Sequence, residues 1–444
     1  MSKIFQWREN VPLALPVIIG QLGHIVTSVA DSIMVGQLGV VSLAAVSLAG
    51  SITSVPLVFG IGVAYGLTPL VARAYGQKRW GKAYRLLKNS TLVNLLTSTI
   101  MFLFAWLLFL FVQKTNQSIE VIEESRVYLI LIMVSYIPFM LFLSGKQYLE
   151  GMADTKTPMR ISLIGNLVNV LLNGVLIFGL FSFPVLGILG AGIATIIARI
   201  IMAIHVWYFV LEKRNNYKIV QDNVIISIRA IRSLLKLGLP SGLQYVFEVS
   251  AFAASAWIIG TYGPSQLAAH QIAINLASVS YMAATGLGAA GTVRMGQLLG
   301  AKRGGEALNA GKSLFSLTIA FMIFTGILFF TLRNILPSFY TTDMDVISAA
   351  SSLLIVATIF QISDGLQATA LGVLRGMQDV KTPTVISFVS YYVIALPLEW
   401  LLGTYFSWGA IGVWVALAIG LTLSAYLLIS RFYNQIGIVA LKNT

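Results

Sequence analysis

The sequence has no cysteine and few charged residues. Its 444 residues include 29 Lys and Arg, but only 16 Asp and Glu and three His. The absence of cysteine excludes disulfide bonds and thiol catalysis. Charged residues make up 10% of the chain and hydrophobic residues 57%, whereas a soluble domain carries about 25% charged residues. A water-soluble globular fold is therefore excluded.

The sequence instead contains long stretches that would be apolar on every side of a helix. Residues 91–112 are one example. About 20 such residues cross the hydrocarbon core as a helix, whereas a spanning strand would alternate polar and apolar residues. Residues 1–10 lack the apolar core and cleavage site of a secretory signal, so we expect the first helix to remain in the mature protein. The sequence predicts an all-α polytopic membrane protein.

The basic residues predict how this protein lies in the membrane. Of the 29 Lys and Arg, 25 fall at the two ends and in the loops after even-numbered spans, and three fall in the other loops. The excess of basic residues on one side places both termini in the cytoplasm, and this side preference explains the net charge of +13 without a nucleic-acid partner. We predict twelve spans near residues 11–34, 47–72, 88–112, 125–147, 159–180, 186–210, 234–258, 273–295, 312–332, 350–372, 384–403 and 409–431.

The chain contains an internal repeat. GMADTKTP at 151–158 returns as GMQDVKTP at 376–383, and ordered matches at an offset of 224 include Pro16 with Pro240 and Gly39 with Gly263. Because each copy holds six spans, both copies enter the membrane in the same orientation, an arrangement known for alternating-access transporters. We predict two pseudo-symmetric six-helix bundles, residues 1–215 and 234–444, joined by a cytoplasmic linker, 216–233. The bundles would surround a central cavity that takes the substrate.

The repeated GMxDxKTP sequence itself predicts the start of a helix. Pro is tolerated in the first turn of a helix but not in its interior. Pro158 and Pro383 therefore predict that spans 5 and 11 begin at these loops, with Thr157 and Thr382 as capping residues. A catalytic role for the phrase is the less favoured interpretation.

Three acidic residues fall inside predicted spans: Asp31, Glu248 and Asp364. The other thirteen, Glu399 among them, fall in loops or at span ends. A charged side chain at the bilayer centre costs about 2.5–3.5 kcal/mol on insertion scales. Intramembrane acids therefore usually face the protein interior and mark ion or substrate paths.

Polar residues at helical spacing accompany these acids. Such seams either join helices by hydrogen bonds or line an ion path, and the sequence leaves both interpretations open for the amides. For His24 a packing role is favoured over a proton relay, and Arg199 either pairs with an acid or extends to an interface. The seams are Gln21, His24, Ser28 and Asp31 in span 1, Asn166, Asn169 and Asn173 in span 5, Gln244 and Glu248 in span 7, and Gln361, Asp364 and Gln367 in span 10.

Buried carboxyl groups are suited to ion coupling. Burial disfavours the charged form of a carboxyl group, so a proton gradient can load and empty it, and a carboxylate with oxygen neighbours can instead hold sodium. A cationic substrate and the ion would then compete for the same negative charge, which gives exchange. Pro16 lies 15 residues before Asp31 in span 1, and a Pro in a helix permits a kink. We predict that Pro16 is a hinge.

With these features the chain resembles the multidrug and toxic compound extrusion (MATE) family over essentially its whole length. The matching motifs are Pro16 to Gln21, DSIMVGQLG at 31–39, QYVFEVSAF at 244–252, LAAHQIA at 267–273, SDGLQ at 363–367 and the paired GMxDxKTP loops. An acid in span 7 with another in span 10 is similar to the NorM-like branch. The DinF-like branch carries an Asp where this chain has Asn173.

The resemblance implies export of cationic, aromatic or amphiphilic compounds driven by inward flow of Na+ or H+, with no other cofactor. It implies a monomer in a bacterial inner membrane. By the resemblance, Glu248 and Asp364 form the cation site of the second half, and the Na+ site if sodium is used. The remaining implied site residues are Tyr245 and Asn275 beside that site, and Asp31, Asn169, Asn173 and Thr195 in the first half. Phe252, Trp257, Tyr281 and Tyr391 are candidates to line an apolar cavity that attracts cations.

Two other functions remain as alternatives. A lipid-linked oligosaccharide flippase would share the scaffold but needs a basic cavity to hold pyrophosphate, and only Arg199 lies well inside a predicted span, away from its ends. A membrane enzyme such as an acyltransferase would need a catalytic base. The sequence contains no phosphate-binding loop, and His24, His205 and His270 do not have metal-ligand spacing. The sequence therefore favours a transporter that is not an enzyme.

Overall fold

The computed structural model describes residues 7–114, 118–219 and 226–441, with side chains up to residue 438. The described residues are helical throughout apart from short connections. Short 3-10 turns lie at Leu180–Ser182 and Pro337–Phe339, and π-helical segments at Val389–Ala395 and Leu401–Tyr405. The α-helices are α1 Trp7–Gly36, α2 Val40–Ala64, α3 Leu67–Gly76, α4 Trp80–Val112, α5 Ile119–Val134, α6 Tyr136–Gly151, α7 Lys156–Phe178, α8 Ile188–Asn216, α9 Ile228–Gly260, α10 Pro264–Gly300, α11 Gly304–Leu332, α12 Met344–Gly376, α13 Lys381–Phe388, α14 Leu396–Trp400 and α15 Gly409–Leu441.

These helices form twelve segments in the described part that are long and apolar enough to cross a membrane. Helices α2 and α3 together make span 2, α5 and α6 make span 4, and α13, α14 and the two π-helical segments make span 11. The predicted all-α fold with twelve spans is confirmed.

The chain divides into two compact units. Unit 1 comprises the described residues of Met1–Ile18 and Leu243–Thr444, and unit 2 comprises those of Ile19–Gly242. Both divisions fall inside a continuous helix, α1 and α9, and they lie 224 residues apart, as the repeat does. The compact units therefore differ from the predicted bundles in one respect, because the first parts of spans 1 and 7 each belong with the other half.

Small residues explain why the first part of α9 packs within unit 2. A Cβ atom on Gly62 would lie 2.7 Å from the carbonyl oxygen of Ser241, and one on Gly66 would lie 2.8 Å from the backbone nitrogen of Gly238. The helix backbones are therefore too close for any side chain at these positions. In unit 1 the equivalent residue, Gly286 of α10, lies against Ile18.

The two repeated loops have the predicted helix starts. Helices α7 and α13 begin at Lys156 and Lys381, which places each Pro in the first turn. The loops also share a left-handed residue, Ala153 at φ 64° and Gln378 at φ 65°. The two loops thus share their backbone conformation as well as their sequence.

The predicted capping role of the threonines is wrong. Neither helix has a side-chain cap from Thr157 or Thr382. Instead, Asp154 accepts hydrogen bonds from the Thr157 backbone N–H at 3.1 Å and from its hydroxyl at 3.0 Å. A carboxylate is the better acceptor for the free N–H groups of a first turn.

The Asp of each loop also forms an ion pair within its own unit. Asp154 lies 3.1 Å from the Lys213 ammonium in unit 2, and Asp379 lies 2.7 Å from the Arg431 guanidinium in unit 1. Each pair joins the loop to the last span of that half. The conserved spacing within this chain therefore serves structure, as the sequence indicated.

Spans 5 and 11 occupy equivalent places in the repeat but differ in winding. Span 5 is a single α-helix, Lys156–Phe178, whereas span 11 contains π-helical segments at Val389–Ala395 and Leu401–Tyr405. A π-helical turn takes one more residue than an α-helical turn, and such turns are frequent at functional sites. Beyond the first π segment, the offset between the halves therefore grows by one residue.

Candidate functional site

Two buried carboxyl groups come together in unit 1. Glu248 of α9 is 6% exposed and Asp364 of α12 is 7% exposed. The Tyr281 hydroxyl of α10 donates to Glu248 Oε1 at 2.5 Å. Asp364 lies close enough to Glu248 for the two to interact electrostatically, and Asp364 Oδ1 has no hydrogen-bond donor among the described residues. The predicted pair of acids therefore forms one cluster.

Amide groups on the same face of α12 extend this cluster. Gln361 accepts a hydrogen bond from the Thr325 hydroxyl at 2.7 Å, and Gln367 donates to the Tyr391 hydroxyl at 2.7 Å. Tyr391 is fully buried and interacts electrostatically with both acids of the cluster. The two glutamines thus join α12 to α11 and span 11.

The two other predicted neighbours differ in their placement. Tyr245 is half-buried, and the Arg375 guanidinium lies 5.7 Å from the centre of its ring. Arg375 is itself buried and interacts electrostatically with Glu248. Asn275 is exposed, and the described residues show no side-chain hydrogen bond from it to the acids. Its role stays a prediction.

Unit 2 holds the predicted first-half network as a chain of hydrogen bonds. The Asn173 amide donates to Asp31 Oδ1 at 2.5 Å and to the Asn169 amide oxygen at 3.5 Å. Asn169 in turn donates to the Thr195 hydroxyl at 3.4 Å. Both asparagines are buried, whereas Asp31 is half-buried. The structure therefore assembles all four predicted residues from spans 1, 5 and 6.

The structure also shows the partners of two basic side chains. Arg199 donates to the Ser135 hydroxyl at 2.6 Å, and its guanidinium lies 4.6 Å from the centre of the Phe139 ring. Arg199 thus binds polar and aromatic groups of span 4, and it interacts electrostatically with Asp31 without a close ion pair among the described residues. His270 accepts a hydrogen bond from the Trp414 indole at 3.0 Å, which is a packing role.

Pro16 is buried inside the continuous helix α1, three residues before unit 2 begins. Its equivalent, Pro240, has the same place in α9 relative to the second division. The position fits a hinge, and the bending motion itself stays a prediction.

Three site features were missed from the sequence. Tyr281 was considered only as a lining aromatic, although it donates to Glu248. Arg375 was placed in a loop, although it is 7% exposed at the end of α12, and Glu399 was placed at a span end, although it is fully buried. The π-helical winding of span 11 determines the burial of Glu399, and no sequence signal for it was evident.

The donor set of the unit 1 cluster limits its chemistry. Among the described residues there is no group of three or more His, Asp or Glu that would hold a metal ion. Two carboxyl groups with phenol and amide neighbours can instead hold a proton or a weakly bound monovalent cation. The cluster has no nucleophile activated by a base, so it supports binding and release rather than bond cleavage.

The fold and the paired acid sites define a polytopic membrane transporter built from two related halves. The profile of the MatE family matches residues 16–175 and 240–401, and these two segments begin 224 and end 226 residues apart. The chain belongs to the MatE family. This assignment places it among transporters and not among enzymes.

The relatives agree with this assignment over nearly the whole chain. A protein named "Probable multidrug resistance protein NorM" from Bacillus cereus is 32% identical over 431 residues, which cover 96% of this chain and 95% of the relative. A protein of the same name from Mesorhizobium japonicum is 30% identical, and the match covers 97% of this chain and 95% of the relative. The resemblance seen in the motifs is confirmed.

Solved structures show the same fold at lower identity. A structure described as "Outward-facing conformation of a multidrug resistance MATE family transporter of the MOP superfamily" has a TM-score of 0.90 at 18% identity, covering 99% of both chains. The "eukaryotic MATE transporter AtDTX14" has a TM-score of 0.88 at 20% identity, covering 100% of both chains.

Proposed function

We propose that the chain is a secondary active transporter that exports cationic, aromatic or amphiphilic compounds in exchange for Na+ or H+ by alternating access. The observation that carries the proposal is the Glu248–Asp364 cluster. Two acids lie together in a buried environment; Glu248 accepts from the Tyr281 phenol, and one Asp364 oxygen lacks a donor among the described residues. A bound proton or cation supplies the positive charge that this arrangement lacks.

Exchange follows from the charge of the cluster. Buried carboxylates are stable only when they are paired or protonated. A bound ion neutralises them, and release of that ion leaves negative charge that attracts a cationic substrate. Since one set of negative charges serves both, the ion and the substrate displace each other. Aromatic side chains near the acids, such as Tyr245 and Tyr391, add attraction for organic cations.

The names of the relatives support the substrate class. Both bacterial relatives carry the words multidrug resistance in their names. We propose small cationic drugs or dyes as partners and a monomer as the working unit. We also propose a bacterial inner membrane as the location, with both termini in the cytoplasm, as the distribution of basic residues indicates.

Uptake of a fluorescent cationic dye into proteoliposomes tests the proposal, with a sodium gradient and a proton gradient imposed separately. Dye movement under sodium alone would make Glu248 and Asp364 a Na+ site, and movement under protons alone would make them proton acceptors. No movement under either gradient, with a panel of dyes and correctly folded protein, would contradict the proposal and favour the flippase.

A further inference from the structure

Glu399 is a buried acid that the proposed exchange does not use. It lies in α14 of span 11 and is 0% exposed. Its carboxyl oxygens have no close hydrogen-bond donor among the described residues. The polar group that interacts with the carboxyl is Ser255, whose hydroxyl donates to the Ala251 carbonyl at 3.0 Å. None of the ion pairs in that part of the chain includes Glu399. An ionised carboxylate there would be an unpaired buried charge, which is strongly unfavourable. Its burial therefore favours a bound proton.

The winding of span 11 turns this side chain inward. From Tyr391 to Gly403 the buried positions recur every four residues, at 391, 395, 399 and 403. In a straight α-helix, steps of four residues would drift by about 40° each, since 3.6 residues make a turn. The wider π-helical turns on both sides of Glu399 compensate for that drift. Glu399 thus shares one buried face with Tyr391, which binds Gln367.

The repeat pairs Glu399 with a residue already in an acid site. Asp31 corresponds to Ser255 at an offset of 224. Asn173 corresponds to Leu398 at the offset of 225 that the repeated loops give, and to Glu399 once the extra residue of the π-helical turn is counted. In unit 2, Asp31 and Asn173 are hydrogen-bonded at 2.5 Å. In unit 1, Ser255 is the polar group that faces the Glu399 carboxyl. Each unit thus has one acid at these two equivalent positions. In unit 2 the acid lies on span 1, and in unit 1 it lies on span 11.

A cavity of about 440 Å³ lies close to this carboxyl along span 11, although Glu399 itself does not line it. It lies within unit 1, at the end where span 7 turns into span 8 and span 11 into span 12. Its lining includes Tyr262, Gln266 and Gly403. Gly403 is one turn from Glu399 on the same buried face, so the cavity ends about 6 Å along the helix from the acid.

Among the described residues around Glu399, the ionisable groups are few. Span 12, which packs on α14, has no Asp, Glu, Lys, Arg or His between residues 409 and 430. The titratable residues of the flanking π segments are Tyr391, Tyr392 and Tyr405, of which Tyr391 binds Gln367 and Tyr392 binds Ser250 at 2.5 Å. On span 7, Ser255 faces the carboxyl, and Glu248 lies two turns away along the same face.

We propose that Glu399 with Ser255 is a second proton-binding site of unit 1, loaded from this cavity and placed between it and the Glu248–Asp364 cluster. The Glu399 carboxylate takes a proton from hydronium in the cavity and leaves water, and Ser255 donates to the carboxylate once the proton has moved on. Two carboxyl oxygens and one hydroxyl are too few for a hard metal cation, which takes about six oxygen ligands. The ligand is therefore the proton. This inference deepens the proposed exchange and rests on it for its role in transport.

Infrared difference spectroscopy of the full chain in liposomes, stepped in pH without drug or gradient, tests the site directly. We expect a carboxyl C=O band that titrates in the unmodified chain, is absent in Glu399→Gln and persists in Asp364→Asn. Ser255→Ala should shift the midpoint of that band, because the charged form loses its donor. If the titrations of Glu399→Gln and the unmodified chain coincide, Glu399 does not exchange its proton and the proposal is wrong.

A second measurement covers the case in which Glu399→Gln does not fold. The chain has no cysteine, so Gln266→Cys introduces a single thiol in the cavity wall. A membrane-impermeant thiol reagent on this variant should slow protonation of Glu399, followed through its C=O band, by at least about tenfold. This corresponds to a change of about 1.4 kcal/mol in the barrier. The same label on Ser338→Cys, which is exposed away from the cavity, should not slow it. Equal rates for the two labelled variants would overturn the proposed route.

These measurements separate the inference from the proposed function. Neither needs dye movement, so a titrating Glu399 band in a chain that moves no dye supports the site and contradicts the antiporter. Ion-driven dye movement with no Glu399 band contradicts the site and leaves the antiporter standing.

Discussion

The acid of unit 2 and the acids of unit 1 meet their hydrogen-bonding needs differently. Asp31 is half-buried and accepts a hydrogen bond from Asn173, which continues through Asn169 to Thr195. Glu248 and Asp364 are both buried; Glu248 accepts a hydrogen bond from the Tyr281 hydroxyl, whereas Asp364 Oδ1 has no donor among the described residues. A buried acceptor without a donor costs about 1–3 kcal/mol, and more when it is charged.

This difference indicates a division of work between the halves. Unit 2 supplies the charged form of its half-buried acid with an amide donor, so the Asp31 carboxylate depends less on a bound ion. Unit 1 leaves its acids dependent on a proton or cation. The coupling free energy should therefore come mainly from unit 1, and each prediction below tests that difference.

The largest effect should follow loss of the unit 1 acids. Glu248→Gln and Asp364→Asn keep the shape of each side chain but remove its charge. We expect ion-driven dye transport to fall by about 5–150-fold, the usual range of coupling between two ligands, with expression unchanged. Proteoliposome uptake under the effective gradient measures it.

A surface acid provides the control for this pair. Glu306 lies in the first turn of α11 with its side chain 43% exposed, and it pairs with Arg303 just before that helix, so Glu306→Gln should leave transport unchanged. Normal efflux by both Glu248→Gln and Asp364→Asn would remove the cation site from unit 1. An equal loss in Glu306→Gln would show that the effect is not specific to buried acids.

A smaller effect should follow the matching change in unit 2. In Asp31→Asn the new amide oxygen still accepts the hydrogen bond from Asn173, so the fold is kept while the charge is lost. We expect a decrease in ion-driven uptake that is severalfold smaller than for Asp364→Asn. Asn173→Ala should have a lesser effect again, because the Asp31 charge remains. A greater loss in Asp31→Asn than in Asp364→Asn would reverse the division of work.

The acids show what sequence could and could not predict. Asp31, Glu248 and Asp364 were predictable because a charge within an apolar run is costly and visible. The chain from Asp31 to Thr195 followed from helical spacing together with the family resemblance. Glu399 was not predictable, because its burial depends on π-helical turns that shift the register of span 11. Nor was the membership of residues 7–18 in unit 1, because that depends on close packing at Gly286.

The next prediction concerns the helix that carries Asp31. Pro16→Ala restores a helical hydrogen bond, so α1 should become more stable and bend less. We expect a higher thermal unfolding temperature together with slower dye transport. Pro12→Ala in the same helix is the control, because Pro12 is exposed and lies farther from the division between the units. Transport at the normal rate by Pro16→Ala would show that α1 does not act through this proline.

The smallest effect compares the two repeated loops. Asp154 both caps α7 and pairs with Lys213, whereas Asp379 pairs with Arg431 and, in the part of the chain described, has no bond to the start of α13. Asp154→Ala should destabilise the protein by about 1–2 kcal/mol, since a lost cap alone costs about 0.5–2 kcal/mol. Asp379→Ala should cost only about 0.2–1 kcal/mol, the usual value of a partly exposed ion pair.

Thermal unfolding in detergent measures both changes. Asp154→Asn is the matched control, because it keeps an oxygen that can cap the helix and loses only the ion pair with Lys213. Its unfolding temperature should therefore fall as little as that of Asp379→Ala. If Asp154→Ala and Asp154→Asn lose the same stability, the ion pair and not the cap stabilises the first loop. The two loops would then be equivalent in energy as well as in sequence.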